Sequence, residues 1–150
     1  MKVVIQRVMR ASVTADGVPA GKCGHGLLLL VGVVPADTVH DAELLAAKIA
    51  KMRIFTDEND KMNLSVLDIG GSALAVSNFT LAADISHGNR PSFIGAAKPE
   101  LATPLYEHFC EALRAAGVPV ETGVFGADMQ IDTVCDGPVT ILADSDLWKA

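Results

Sequence analysis

Eight consecutive residues, Leu27 to Val34, carry no polar side chain. A helix crossing a bilayer needs about 20 such residues, so this run is not a membrane segment. It reads instead as a β-strand covered on both faces. A strand of that kind needs packed layers on either side of it, which restricts the chain to a layered fold with a substantial core. The 150 residues suit one domain over 1–150. A domain of this size buries roughly 70% of its unfolded surface, so it needs no covalent staples.

The remaining pattern supplies the other elements. Lys2 to Thr14 is rich in β-branched residues, Asp16-Gly17 is a hairpin signal, and Val18 to Cys23 returns as a second strand. Asp37 or Thr38 caps a helix running to about Arg53, with Leu45, Ile49 and Met52 at helical spacing. Asn63 to Leu67 is a candidate short strand, and Ala73 to Leu81 reads as another buried strand. Thr103-Pro104 is expected to open a second helix that ends at Gly117. Three strands are expected after it: Val118 to Glu121, Met129 to Val134 and Val139 to Leu142. The expected fold class is mixed α/β, with mainly antiparallel sheets packed together and two helices on the outside.

Half of the residues are hydrophobic, and the mean hydropathy is +0.35. That is apolar for a small domain, which suggests that part of the surface faces a second copy in a two-fold dimer. The net charge of −6 argues against general attraction to nucleic acid. Cys23, Cys110 and Cys135 are odd in number and form no close pair, which points to a reducing cytoplasm and against a disulfide framework or a zinc site. The first residues turn polar too early for a signal peptide.

Familiar hydrolytic signatures are absent: there is no G-x-S-x-G, H-E-x-x-H, C-x-x-C or Walker loop. His40 and His108 lie on helices among polar neighbours and read as solvated. His25 and His87 lie in glycine-containing loops and are candidates for lining a site. Two segments are unusual. Ser77-Asn78-Phe79-Thr80-Leu81 places three polar side chains in an otherwise apolar strand. Either they satisfy neighbouring backbone in the core, or they meet a ligand. Cys135-Asp136-Gly137-Pro138-Val139-Thr140 is either a plain turn or a rigid backbone device, since proline fixes φ and glycine permits close approach.

Through these two segments and several others, the chain resembles the D-aminoacyl-tRNA deacylase family (the D-Tyr-tRNA deacylases) over essentially its whole length. The opening Met1 to Val8 with Ala11-Ser12-Val13 is similar to the family's start. So are Arg53-Ile54-Phe55, Lys61 to Ser65, Gly88 to Phe93 and Thr122 to Met129. The family motif S-Q-F-T is matched by Ser77, Asn78, Phe79 and Thr80, with asparagine replacing glutamine. The motif N-x-G-P-x-T is matched by Cys135 to Thr140, with cysteine replacing asparagine. Cys135 keeps only a weak donor where the family has an amide.

The resemblance implies hydrolysis of the ester of D-aminoacyl-tRNA, and of glycyl-tRNA formed on a non-cognate tRNA. It implies a cytoplasmic homodimer that holds the acceptor end of tRNA at sites along the subunit interface. It casts Thr80 and Ser77 as catalytic, and Asn78, Phe79, Phe125, Met129, Gly137 and Pro138 as substrate-binding. A cis Gly137-Pro138 bond is expected to act as a chiral filter that presents main chain to the substrate's Cα. No metal and no cofactor is implied. Two rivals come from other classes: a cysteine hydrolase built on Cys135, and a non-catalytic dimeric RNA-binding module.

Overall fold

The structure is a computed structural model that describes residues 1–149. Eight strands and two helices follow in the order β1 (Lys2–Ala15), β2 (Val18–Cys23), β3 (Gly26–Gly32), α1 (Val39–Lys51), β4 (Phe55–Thr56), β5 (Met62–Leu64), β6 (Ser72–Ser77), α2 (Pro99–Ala115), β7 (Val120–Thr122) and β8 (Met129–Asp144). The main sheet has the order β2-β1-β3-β6-β7, with β8 along the other side of β1. β1 pairs antiparallel with β2, β3 and β8, whereas β3-β6 and β6-β7 are parallel.

The two parallel pairings explain where the helices lie. β3-α1-β6 and β6-α2-β7 are crossover units that step across the sheet in the same direction. Right-handed crossovers then place both helices on one face. α1 is well started. Asp41 accepts from the Thr38 backbone N–H and from the Thr38 hydroxyl, each at 2.8 Å. Burial opposes the charge on Asp41, but hydrogen bonds from Lys149, Ser145 and Thr38 outweigh it and hold the carboxyl well below the usual range.

The apolar run is covered on both faces. Leu27, Leu29 and Val31 face the helix-side core with Leu45, Ile49 and Phe109. Leu28 faces a second core with Val8, Val13 and Leu74. β6 repeats the alternation, with Ala73 and Ala75 toward the helices and Leu74 and Val76 toward the second core. Each buried leucine contributes about 2 kcal/mol. The second core is closed by β2, which lies across β6 and β7. A Cβ on Gly21 would fall 2.5 Å from the Thr122 carbonyl oxygen of β7 and 3.2 Å from the Leu74 side chain, so that glycine sets the approach of the two layers.

Four expectations need correction. The strand expected over Ala73 to Leu81 ends at Ser77, and a 3-10 turn, Phe79–Ala82, follows. α2 starts at Pro99 rather than Thr103, so Pro104 lies inside the helix. The expected strands Met129 to Val134 and Val139 to Leu142 are one strand, Met129–Asp144, because β1 pairs along both halves. The short strands also shift, to Met62–Leu64 and Val120–Thr122.

Candidate active site

β6 carries the chain out of the core at Ser77. The Asn78 N–H still donates to Val31 O (2.8 Å), but the next residues turn away, with Leu81 N–H donating to Asn78 O (3.4 Å) and Ala83 N–H to Thr80 O (3.1 Å). Gly32, at the end of β3, makes room for this turn. A Cβ there would lie 2.9 Å from Leu81 Cβ and 3.1 Å from Asn78 O. The Thr80 hydroxyl donates to Asn78 Oδ1 at 2.5 Å. An amide oxygen is not a base at neutral pH, so this contact orients the hydroxyl without activating it.

The turn stands at a mostly apolar cavity of about 380 Å³, whose walls include Ser77, Phe79, Phe93, Lys98 and Phe125. Phe79 is 56% exposed and meets Phe93 edge-on, with ring centroids 5.3 Å apart. Behind Phe125 stands Tyr106, at 6.2 Å between centroids. The Tyr106 hydroxyl donates to Ala75 O of β6 at 2.8 Å, and burial pushes the phenol far above its ordinary value. Helix α2 is thereby tied to the strand that delivers Ser77.

Three of the sequence-derived site residues, Ser77, Phe79 and Phe125, share this cavity, and Asn78 and Thr80 form its adjoining turn. Met129 packs against the second core instead. Gly137 and Pro138 are exposed on β8 and do not line the cavity within the chain. The Gly137-Pro138 peptide bond is cis. Gly137 has φ +149°, and a Cβ on it would collide with the backbone N of Val139.

The segment before Gly137 is anchored from the core. Arg7 donates through Nε to Asp136 O (3.0 Å) and through Nη1 to Ile54 O (2.8 Å). Its Nε also lies 3.2 Å from Asp136 Oδ2. His25 Nε2 is 3.6 Å from the same carboxylate, and its ring stands edge-on to Phe55. Thus His25 lies beside the second motif. His87 is exposed and shares a hydrogen bond with Ser86 Oγ (2.7 Å). His108 faces Glu43 on the helix surface at 3.0 Å. Cys135 is exposed and forms no disulfide.

Sequence reasoning missed Arg7, Phe93, Lys98 and Tyr106. Arg7 had a readable signal: it shares the alternation of Val3 and Ile5, so its charge was bound for a buried face. Tyr106 was readable only as one position among several on an amphipathic helix.

The chain is similar to known proteins along nearly its whole length. The family model described as D-Tyr-tRNA(Tyr) deacylase matches residues 4–144. A relative named D-aminoacyl-tRNA deacylase from Chloroflexus aurantiacus is 58% identical over 97% of this chain and 91% of its own. A relative of the same name from Thermomicrobium roseum is 60% identical over 97% of this chain and 94% of its own. A solved structure described as c-Myc DNA Unwinding Element Binding Protein is 41% identical with a TM-score of 0.90, covering 96% of this chain and 98% of that one. Another, described as a probable eukaryotic D-amino acid tRNA deacylase, has a TM-score of 0.82 over 95% of this chain and 97% of its own. At 15% identity it speaks for the fold alone. The chain belongs to the D-aminoacyl-tRNA deacylase family.

Proposed function

We propose that this chain hydrolyses the ester joining a D-amino acid to the terminal ribose of tRNA, and that it also removes glycine from a non-cognate tRNA. The observation that carries the reading is the Ser77–Thr80 turn at the mouth of the Phe79–Phe93–Phe125 cavity, in a chain matched by the family over residues 4–144. Water adds to the ester carbonyl carbon, the tetrahedral oxyanion collapses, and the ribose oxygen leaves with a proton. The first N–H groups of a 3-10 turn have no partner within the turn, so those of Phe79 and Thr80 are suited to the developing oxyanion. Thr80 positions rather than attacks, because its hydroxyl already donates to an amide. The neighbouring ribose hydroxyl assists the water. No metal or cofactor takes part.

Gly137 and Pro138 supply the chiral filter in this reading, and they do so in the site of a second subunit. Main chain placed beside Cα rejects an L side chain by collision, whatever that side chain's size, and glycine passes. The exposure of Gly137 and Pro138, and their absence from the cavity of their own chain, support a site completed by a partner. So do the exposed apolar side chains of β8 and its flank: Met9 is 50% exposed and Leu142 61%. Among the described residues, no helix is long and apolar enough to cross a membrane. The cytoplasm is the compartment that holds the substrate.

The test is release of free amino acid from matched D- and L-aminoacyl-tRNAs. D-esters and glycyl esters are expected to be cleaved and L-esters spared. Equal cleavage of both hands would end the chiral reading, and no cleavage would end the hydrolase reading. Gly137→Ala is a poor probe, because its Cβ would strike Val139 within its own chain. A mixing experiment is cleaner. A chain with the cavity blocked by Phe79→Arg and a chain with Gly137-Pro138 deleted are each expected to be inactive. Mixed, they should recover about a quarter of wild-type activity if sites are shared across a two-fold dimer.

A further inference from the structure

A protein of net charge −6 that acts on an RNA end needs its few free cations in the right place. Most of its basic side chains are already engaged. Lys2, Arg10, Arg114 and Lys149 face carboxylates, Arg7 is buried against Asp136, Lys48 lies over the Trp148 ring, and Arg53 donates to Asn63. Lys98 is different. It is exposed, it lines the cavity beside Phe79 and Phe93, and among the described residues no carboxylate pairs with it. Arg90 is likewise exposed and unpaired among the described residues, in the loop whose base is the Asp84–Ser92 backbone bridge. That base runs directly into Phe93 of the cavity wall. Asp84, also exposed, accepts from Ser86 N–H at 2.9 Å and forms no ion pair with Arg90 among the described residues.

We infer that Lys98 and Arg90 hold the phosphodiesters of the single-stranded acceptor end as it enters the cavity. This rests on the hydrolase reading above and adds how the RNA is held. Lysine is also a poor choice for Lys98's local duty. It occupies the N-cap of α2 and makes no capping hydrogen bond there, where serine, threonine or aspartate serves a helix better. A side chain that breaks a local rule beside a functional cavity points to a task outside the fold. Lys98 lines the cavity and Arg90 stands three residues before Phe93 of its aromatic wall, which suits a strand whose phosphates are gripped while its last base and ester reach inward.

The experiment compares aminoacyl-tRNA with the corresponding aminoacyl-adenosine, which has no phosphodiester, for wild type and for Lys98→Ser, Lys98→Arg and Arg90→Ser. Serine restores a good cap, so loss of folding does not confound the result, and thermal melts check this. For aminoacyl-tRNA, kcat/KM is expected to fall severalfold in Lys98→Ser and Arg90→Ser, mainly through KM. The slope of log kcat/KM against log salt should flatten by about 0.7 for each phosphate that is no longer neutralised. The loss on aminoacyl-adenosine should be much smaller, and Lys98→Arg should recover the slope. Lys61→Ala, removing an exposed charge that has no carboxylate partner among the described residues, should leave the slope as in wild type. Equal losses on both substrates, an unchanged slope, or the same flattening in Lys61→Ala would overturn the inference. So would a weakened dimer with an unchanged slope, which would place a second copy on these cations. If wild type cleaves neither substrate, the hydrolase reading fails and this inference with it. If wild type cleaves both and the slopes do not move, only the phosphate grip fails.

Discussion

The turn at Ser77–Thr80 grows out of a strand whose preceding residues, Ala73 to Val76, are all buried. The segment Cys135–Thr140 lies instead on a strand with one neighbour, mostly open to solvent along its length. The first motif has its surroundings within the chain: a cavity, an aromatic wall and a glycine that makes room. The second has an anchor, Arg7, and little around it. The difference teaches that the two motifs are built for different duties. One shapes a pocket, and the other is presented outward from a fixed base.

The comparison breaks most severely at Arg7. Replacing it with methionine strips Ile54 O and Asp136 of their donors on a nearly buried face, and breaking such a pair costs about 3 kcal/mol. Denaturant unfolding should register that loss, and hydrogen exchange should rise first around residues 135–139. A stability within error of wild type would show that the second motif needs no anchor. Next comes Gly32→Ala. Its new methyl meets Leu81 and the Asn78 carbonyl, so the turn must shift. A displacement near 1 Å typically costs about a hundredfold in rate. Turnover should therefore drop far more than stability does, and a fully active variant would show that the turn's position is not critical.

A smaller effect is expected at Thr80. Thr80→Ala removes an orienting hydroxyl and should slow turnover by about tenfold, near 1.4 kcal/mol. It should not abolish turnover, and mass spectrometry of stopped reactions should find no aminoacyl group on the enzyme. A trapped ester on Thr80 would reverse its assigned role. The least effect is expected from Cys135→Ser. The thiol is exposed, and its neighbour Asp136 brings a carboxylate already engaged by Arg7 rather than a base free to activate it. Rates within about twofold are expected, well under the 1.4 kcal/mol of a tenfold change. Complete loss would revive a cysteine mechanism.

The layered architecture was legible because an unbroken apolar run short of a membrane span has to be covered on both faces. Leu27 to Val31 and Ala73 to Val76 are apolar at every position, and the structure sends their alternate side chains into two cores. Where strands end was less legible. Residues 77–81 have strand-like composition, and what turns them out is the missing Cβ of Gly32, remote in sequence. Asp136-Gly137-Pro138 has the composition of a turn, yet β1 pairs on either side of it and keeps one strand running. Pro99 and Pro104 both offer a helix start, and only packing chose between them. The cavity was half legible. Ser77, Asn78 and Thr80 stood out by polarity and Phe79 and Phe125 came only through the family resemblance, while Phe93 and Lys98 arrived from a loop and a helix end whose placement is tertiary.

Tyr106 is the only tyrosine in the chain, which makes its bond to Ala75 a built-in reporter. Its ring lies against Phe125 at the back of the cavity, so its near-ultraviolet signal should respond when the pocket fills. The same phenol gives an alkaline gauge of integrity. Burial raises its pKa, so the folded chain keeps it protonated where an unfolded chain would ionise it. The stability this contributes is complete below about pH 10, the ordinary tyrosine range, and drains away as the pH climbs. Tyrosinate absorption should therefore lag behind that of a free tyrosine and then emerge together with loss of the fold, signalling the release of α2 from β6 without any added label.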